Sequence, residues 1–280
     1  MISKTFRIAQ MIVLASFALS SAAWATDSAT DSATDWATDW ATDWATCSNA
    51  SLSGTYGFLH DGTDSNGTPT SAAVTQLTFD STTGTFTGEQ IASHDGVIAT
   101  EPVTGTYAVA PNCTGTGNPT GASPFSMVVT STGFLAVHPF SEGFAVKQGS
   151  PTCTKATVMG SFGFETTGVF LAGAPATGWV AFIGELKLTV NPSGEGVISG
   201  HVGGSEGDTT LTFAPVTGSY TVDKDCRGRA TVTPKGRSEM HFSLVVVDGG
   251  KEMLVIETDA DTVVSGTLVS ASPRRSSWEP

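Results

Sequence analysis

The chain has 280 residues, 39% hydrophobic and 14% charged, with a formal net charge of −13. Its length suits two domains of ordinary size. So acidic a chain, with no basic stripe interleaved with aromatics, repels phosphate backbones and argues against nucleic acid as a partner.

The first element is a targeting segment. Lys4 and Arg7 precede an apolar run from Ile8 to Ala18, and Ala23-Trp24-Ala25 supplies a small-x-small cleavage site. The run is too short to span a bilayer as a stable helix, so residues 1–25 read as a secretory signal peptide. No later stretch is apolar enough for a transmembrane segment, and the expected location is secreted or periplasmic, in a bacterium. Loss of Lys4 and Arg7 takes the net charge to about −15. Residues 26–46 then repeat a Thr-Asp-[Ser/Trp]-Ala unit, built of residues that prefer local side-chain bonds to helix. This low-complexity stretch is expected to be a disordered spacer. Its Trp36, Trp40 and Trp44 are candidates for a surface contact with envelope or polysaccharide.

Beyond the spacer the chain says the same things twice. Pro102–Cys113 reads PVTGTYAVAPNC, and 113 positions later Pro215–Cys226 reads PVTGSYTVDKDC. Before that phrase, Leu52-Ser-Gly54-Thr-Tyr56-Gly-Phe58 matches Val158-Met-Gly160-Ser-Phe162-Gly-Phe164, and Leu77-Thr-Phe79 matches Leu188-Thr-Val190. After it, Phe125-Ser-Met127-Val128-Val129 matches Phe242-Ser-Leu244-Val245-Val246. The offset grows from 106 to 111 to 113 to 117, as short loop insertions in the second copy would produce. Two copies are too few for a solenoid, so each is expected to close on itself and fold independently. The expected modules are 47–150 and 151–272, followed by a disordered tail at 273–280.

Within a copy the period is two. Leu52, Gly54, Tyr56 and Phe58 fall on one face of a strand, as do Val103, Gly105, Tyr107 and Val109, and Val216, Gly218, Tyr220 and Val222. Glycines punctuate the chain every 8–12 residues or so, and no window carries a capped stripe of helical period. These signals predict about eight short strands per copy, joined by tight turns into an up-and-down antiparallel barrel. An inward glycine beside an inward aromatic leaves the ring its space. The fold class is therefore all-β, two tandem barrels. The cysteines Cys47, Cys113, Cys153 and Cys226 lack any C-x-x-C spacing, and in an exported chain they read as disulfides. Of the three pairings open to them, equivalent positions in the two copies favour Cys47–Cys113 and Cys153–Cys226.

The run Gly218-Ser-Tyr220-Thr-Val222, Cys226-Arg-Gly228-Arg-Ala, Phe242-Ser-Leu244-Val245-Val246 and Val263-Val-Ser265-Gly266-Thr-Leu resembles an uncharacterised repeat of exported environmental-bacterial proteins. That repeat opens on a Gly-x-aromatic-x-Phe strand, as Gly54-Thr-Tyr56-Gly-Phe58 does. The chain is also similar, more weakly, to calycin-type barrels of the avidin kind, with Tyr56 and Phe162 where those carry a Trp. The resemblance implies the barrel fold and assigns no functional residue.

The motifs of chemistry are sparse. Gly203-Gly204-Ser205-Glu206-Gly207 satisfies G-x-S-x-G, but no helical pattern follows it, so a loop between strands is expected. Asp61, Asp64 and Asn66 break the spacing of a calcium loop and read as an Asx-rich turn. Glu257, Asp259 and Asp261 alternate onto one face, which is expected to be solvated. The histidines His60, His94, His138, His201 and His241 have no metal-site spacing and no counterpart in the other copy. No catalytic residue, metal or cofactor is expected. The inward aromatics point to filled barrels, hence to an exported non-catalytic protein that binds or supports through its surface. The alternative is a calycin-like carrier of a small apolar ligand in a barrel cavity.

Overall fold

The computed structural model describes residues 46–174 and 177–271. Trp36, Trp40, Trp44, residues 1–25 and the 273–280 tail lie outside the described residues. Two closed antiparallel barrels of eight strands each follow one another along the chain. Barrel 1 comprises β1 (Gly54–Thr63), β2 (Pro69–Asp80), β3 (Thr85–His94), β4 (Val97–Val109), β5 (Thr114–Pro119), β6 (Phe125–Val129), β7 (Gly133–His138) and β8 (Ser141–Lys147). Barrel 2 comprises β9 (Gly160–Phe170), β10 (Gly178–Val190), β11 (Gly196–Glu206), β12 (Thr209–Val222), β13 (Arg227–Pro234), β14 (Met240–Val247), β15 (Glu252–Glu257) and β16 (Thr262–Ser270). Each strand pairs with its neighbour in sequence, and closure is made by β8 on β1 and by β16 on β9. Closure leaves neither barrel with an unpaired edge.

The alternating rows do point inward. Tyr56, Leu77, Phe86, Tyr107, Met127 and Phe134 fill the lower part of barrel 1. Phe162, Leu186, Ile198, Tyr220, Leu244 and Met253 do the same in barrel 2. A Cβ on Gly105 would come within 2.4 Å of the Phe86 ring, and one on Gly196 within 2.8 Å of the Tyr220 ring. At these positions only glycine admits the aromatic neighbour.

Both barrels are plugged at the same end by the same device. The one-turn helix Asn49–Leu52 buries Leu52, and Tyr107 Oη donates to Asn49 O at 3.0 Å. In barrel 2 the turn Lys155–Val158 buries Val158, and Tyr220 Oη donates to Lys155 O at 3.1 Å. The disulfides Cys47–Cys113 and Cys153–Cys226 tie each plug to the far side of its own barrel.

Register corrects one sequence match. Tyr56 faces Leu77 and Phe162 faces Leu186, so Leu186 rather than Leu188 is the counterpart of Leu77. The slip is two residues, so every side chain stays on its assigned face.

The barrels do not stand apart. A third apolar core joins Leu59, Ala72 and Val74 of barrel 1 to Val169, Val245, Val247, Leu254, Ile256 and Val263 of barrel 2. Strands β14 and β15 are apolar at consecutive positions, LVVV and MLVI, because one face fills barrel 2 and the other meets barrel 1. Near the plugged ends Gln148 Nε2 donates to Asp225 O at 3.2 Å, Gln76 donates to the same carbonyl, and Arg227 pairs with Glu89. Near the other ends Asp261 N donates to Gly96 O at 2.9 Å, and Ser93 Oγ donates to Thr262 O. The barrels therefore lie side by side with both open ends on one side.

The expectation of a solvated acidic face at 257–261 is corrected. Glu257 is 2% exposed and continues the inward row of Met253 and Val255. Asp259 instead binds His241 from the turn, and Asp261 packs against Gly96. The Gly203–Gly207 stretch is the end of β11 and its hairpin turn, with Ser205 opposite Ala181 and Thr210. Asp64 Oδ1 accepts from Asn66 N and Thr68 N, both at 2.8 Å, which makes the Asx turn between β1 and β2.

Candidate functional site

The open ends are where the barrels depart from the filled interior expected of their aromatics. Barrel 1 opens into a cup of about 490 Å³. Its floor and lower wall are Phe58, Leu77, Phe86, Val103 and Phe125, and its upper wall carries Thr75, Gln90, His60, His94, Glu101, His138 and Glu142. Phe58 stacks on the His60 imidazole at 5.2 Å and on Phe125 at 6.3 Å, which sets parallel rings into one side of the cup.

The polar part is wired. Thr75 Oγ1 donates to Gln90 Oε1 at 3.3 Å, and the same oxygen lies 3.2 Å from His60 Nε2. Because Gln90 Oε1 is an acceptor, His60 carries its proton on Nε2. These two hydrogen bonds hold the Gln90 amide by its Oε1 in the wall of the cup. Burial holds the His60 imidazole below the ordinary histidine range, Gln90 opposes that, and His94 and His138 add to the lowering. His138 is held by a 2.9 Å contact between Nδ1 and Pro139 O. No group of three or more His, Cys, Asp or Glu among the described residues could hold a metal ion.

Barrel 2 opens into a smaller cavity, about 100 Å³, lined almost wholly by apolar side chains. Phe164, Phe182, Val202, Met240 and Phe242 form much of its wall. Register pairs the two mouths residue by residue. Met127 faces Ala136 and Leu244 faces Val255, so His138 and Glu257 occupy the same barrel position. By the same reasoning His60 corresponds to Thr166, Gln90 to Val202, and Thr75 to Gly184.

The four cysteines named by the sequence lie at the plugged ends, away from both mouths, and hold the structure rather than a ligand. Spacing along the sequence does not single out the residues that line the cup. One signal could have found them. His60, His94 and His138 sit late in the first, third and seventh strands, and in an up-and-down meander odd strands all finish at one end. On the outer wall of barrel 2, Trp179 (58% exposed), Ile183 and Phe213 stand free, the last two on either side of Gly203.

No helix among the described residues is long and apolar enough to cross a membrane. No family model and no curated protein matches the chain. Among solved structures, a DUF3598-family protein of unknown function from Nostoc punctiforme aligns with 79% of this chain and 97% of its own length. The identity is 8% and the TM-score 0.26.

Proposed function

We propose that the chain is an exported β-barrel binding protein whose barrel 1 cup receives a small amphipathic molecule, without turnover. The cup itself carries this reading: a cavity of about 490 Å³ with an aromatic floor and convergent polar groups at its mouth. A flat apolar body would lie against Phe58 and Phe125, and an acceptor on the ligand would take a hydrogen bond from Gln90 Nε2. The two disulfides support passage through an oxidising compartment. Ala136 lines the cup and is buried, so Ala136→Phe takes up space in the cup. Native mass spectrometry of protein isolated from its own cells should find one small molecule per chain, absent from Ala136→Phe at an unchanged melting temperature.

A second reading, contact with envelope or polysaccharide through the outer wall, is favoured by the exposed Trp179 and Phe213. A wild-type chain free of ligand, together with polysaccharide binding lost in Trp179→Ser, would replace the first reading by the second.

A further inference from the structure

The two mouths carry charges of opposite sign. Histidines apart, the charged residues lining the barrel 1 cup are Glu101 and Glu142, with no Lys or Arg among them. Those lining the barrel 2 cavity are Lys235 and Arg237, with no Asp or Glu among them. In a chain of net charge −13, composition alone does not place two cations and no carboxylate on an otherwise apolar cavity.

Both cations stand on the turn from β13 to β14. Lys235 N donates to Pro215 O at 2.8 Å and Arg237 N to Pro234 O at 3.0 Å, so backbone bonds hold that turn beside β12. Arg237 is neutralised within the protein, since Nη2 donates to Glu206 Oε2 at 3.0 Å and Nη1 to Oε1. Lys235 is not. Among the described residues its ammonium group has no ion pair and no side-chain hydrogen bond. Asp259 and Glu239 are held by His241, at 2.7 and 3.1 Å. Glu257 does not line the cavity, and burial pushes its carboxyl up to about 8, so at neutral pH it is mostly uncharged and does not repel an anion.

We propose that the mouth of barrel 2 is a second binding site, for a short aliphatic carboxylate. The hydrocarbon chain would occupy the cavity between Phe182, Val202 and Phe242, and the carboxylate would stay at the rim and accept from Lys235 Nζ. One free cation matches the single charge of a carboxylate, which a phosphate monoester exceeds. The cavity of about 100 Å³ limits the chain to about four carbons, since an apolar cavity of about 150 Å³ takes up the six of benzene. The site is separate from the barrel 1 cup and stands or falls independently of it.

The probe is pentanoate, with 1-pentanol and n-pentylamine as controls, titrated at neutral pH into the full chain by calorimetry and by methyl NMR of Met127, Met240 and Met253. Pentanoate is expected to bind saturably, at least fivefold tighter than either control, and more weakly as added salt screens the ion pair. It should shift the signals of Met240 and Met253, which line the cavity, and leave that of Met127 in barrel 1 in place. Lys235 is exposed, so Lys235→Met keeps the fold. That variant should lose fivefold or more for pentanoate and stay within twofold for pentanol. Ala230→Leu, which fills the cavity from β13, should abolish binding of both, whereas Ala136→Phe in the barrel 1 cup should change neither. If Ala230→Leu fails to fold, Lys235→Met and the methyl signals still decide the matter. Absence of saturable pentanoate binding, equal affinity for pentylamine, retention of pentanoate affinity in Lys235→Met, or a shift confined to Met127 would overturn the site.

Discussion

The two barrels share one end and differ at the other. At the plugged end every part recurs: a one-turn helix, its buried aliphatic residue, a tyrosine bonded to its backbone, and a disulfide. At the open end the same wall positions carry His60, Thr75, Gln90 and His138 in one copy and Thr166, Gly184, Val202 and Glu257 in the other. The difference teaches where constraint lies. Closing a barrel demands a filled, stapled bottom, while the rim is free to take up chemistry.

The strongest test of the shared end is to cut its staples. Each disulfide spans a sequence separation of 66 or 73 residues, which is worth on the order of 4 kcal/mol in the chain-entropy model. Cys47→Ser with Cys113→Ser, and Cys153→Ser with Cys226→Ser, should therefore cost nearly the same, read by denaturant unfolding. A large inequality would break the equivalence of the two plugs.

The open ends should differ in the sign of their pH response. Burial, then Asp259 and Glu206, push the Glu257 carboxyl up to about 8. An unfolded glutamate titrates near 4.3, so between about 4.3 and about 8 the unfolded chain binds fewer protons and stability falls as pH rises. The loss is on the order of 3 kcal/mol by neutrality. Glu257→Gln should flatten that slope in melting curves taken from pH 4 to 9, and a slope that survives the change would remove Glu257 as its source.

A smaller effect separates the outer walls. Gly57 and Gly163 hold the same place in the motif Gly-x-aromatic-Gly-Phe. A Cβ on Gly57 would meet Val247 at 2.6 Å and Val245 at 2.9 Å, whereas one on Gly163 meets nothing within 4 Å. Gly57→Val should cost about 1–3 kcal/mol by overpacking the core between the barrels, and Gly163→Val should stay within about 0.5 kcal/mol. Calorimetry of both variants reads these costs. Equal costs would mean that the barrels meet elsewhere.

These contrasts also mark what the sequence could reveal. The barrel fold and the disulfide pairs were legible, because period-two rows and paired cysteines are local signals repeated in both copies. The core between the barrels was less so: LVVV and MLVI announce strands buried on both faces, but not what lies beyond the second face. Glu257 was misassigned because its spacing to Asp259 and Asp261 suggested one solvated face. The row Met253, Val255, Glu257 was an equally visible alternation, and packing chose it. The cup residues were hidden by distance, since His60 and His138 become neighbours only when β8 closes on β1.

His60 supplies the mildest and most specific contrast. Burial lowers its imidazole in the folded chain, so the unfolded chain binds the proton more readily. The sign is then opposite to that of Glu257. The stability linked to His60 is present above about pH 6.5, the ordinary histidine value, and is lost as pH falls below it. Protonation would also place a charge on a ring stacked against Phe58 and bonded to Gln90, with His94 and His138 as like-charged neighbours. Acid should therefore weaken whatever the cup holds. His60→Gln keeps a donor for Gln90 Oε1 but cannot take on charge. It should remove the part of the acid destabilisation that appears just below pH 6.5 and should keep ligand in the cup at pH 5. NMR titration of the histidine ring signals, with bound ligand counted by native mass spectrometry, separates the two effects. If the wild type keeps its ligand at pH 5 while His60 is shown to be protonated, the imidazole is not what governs the cup.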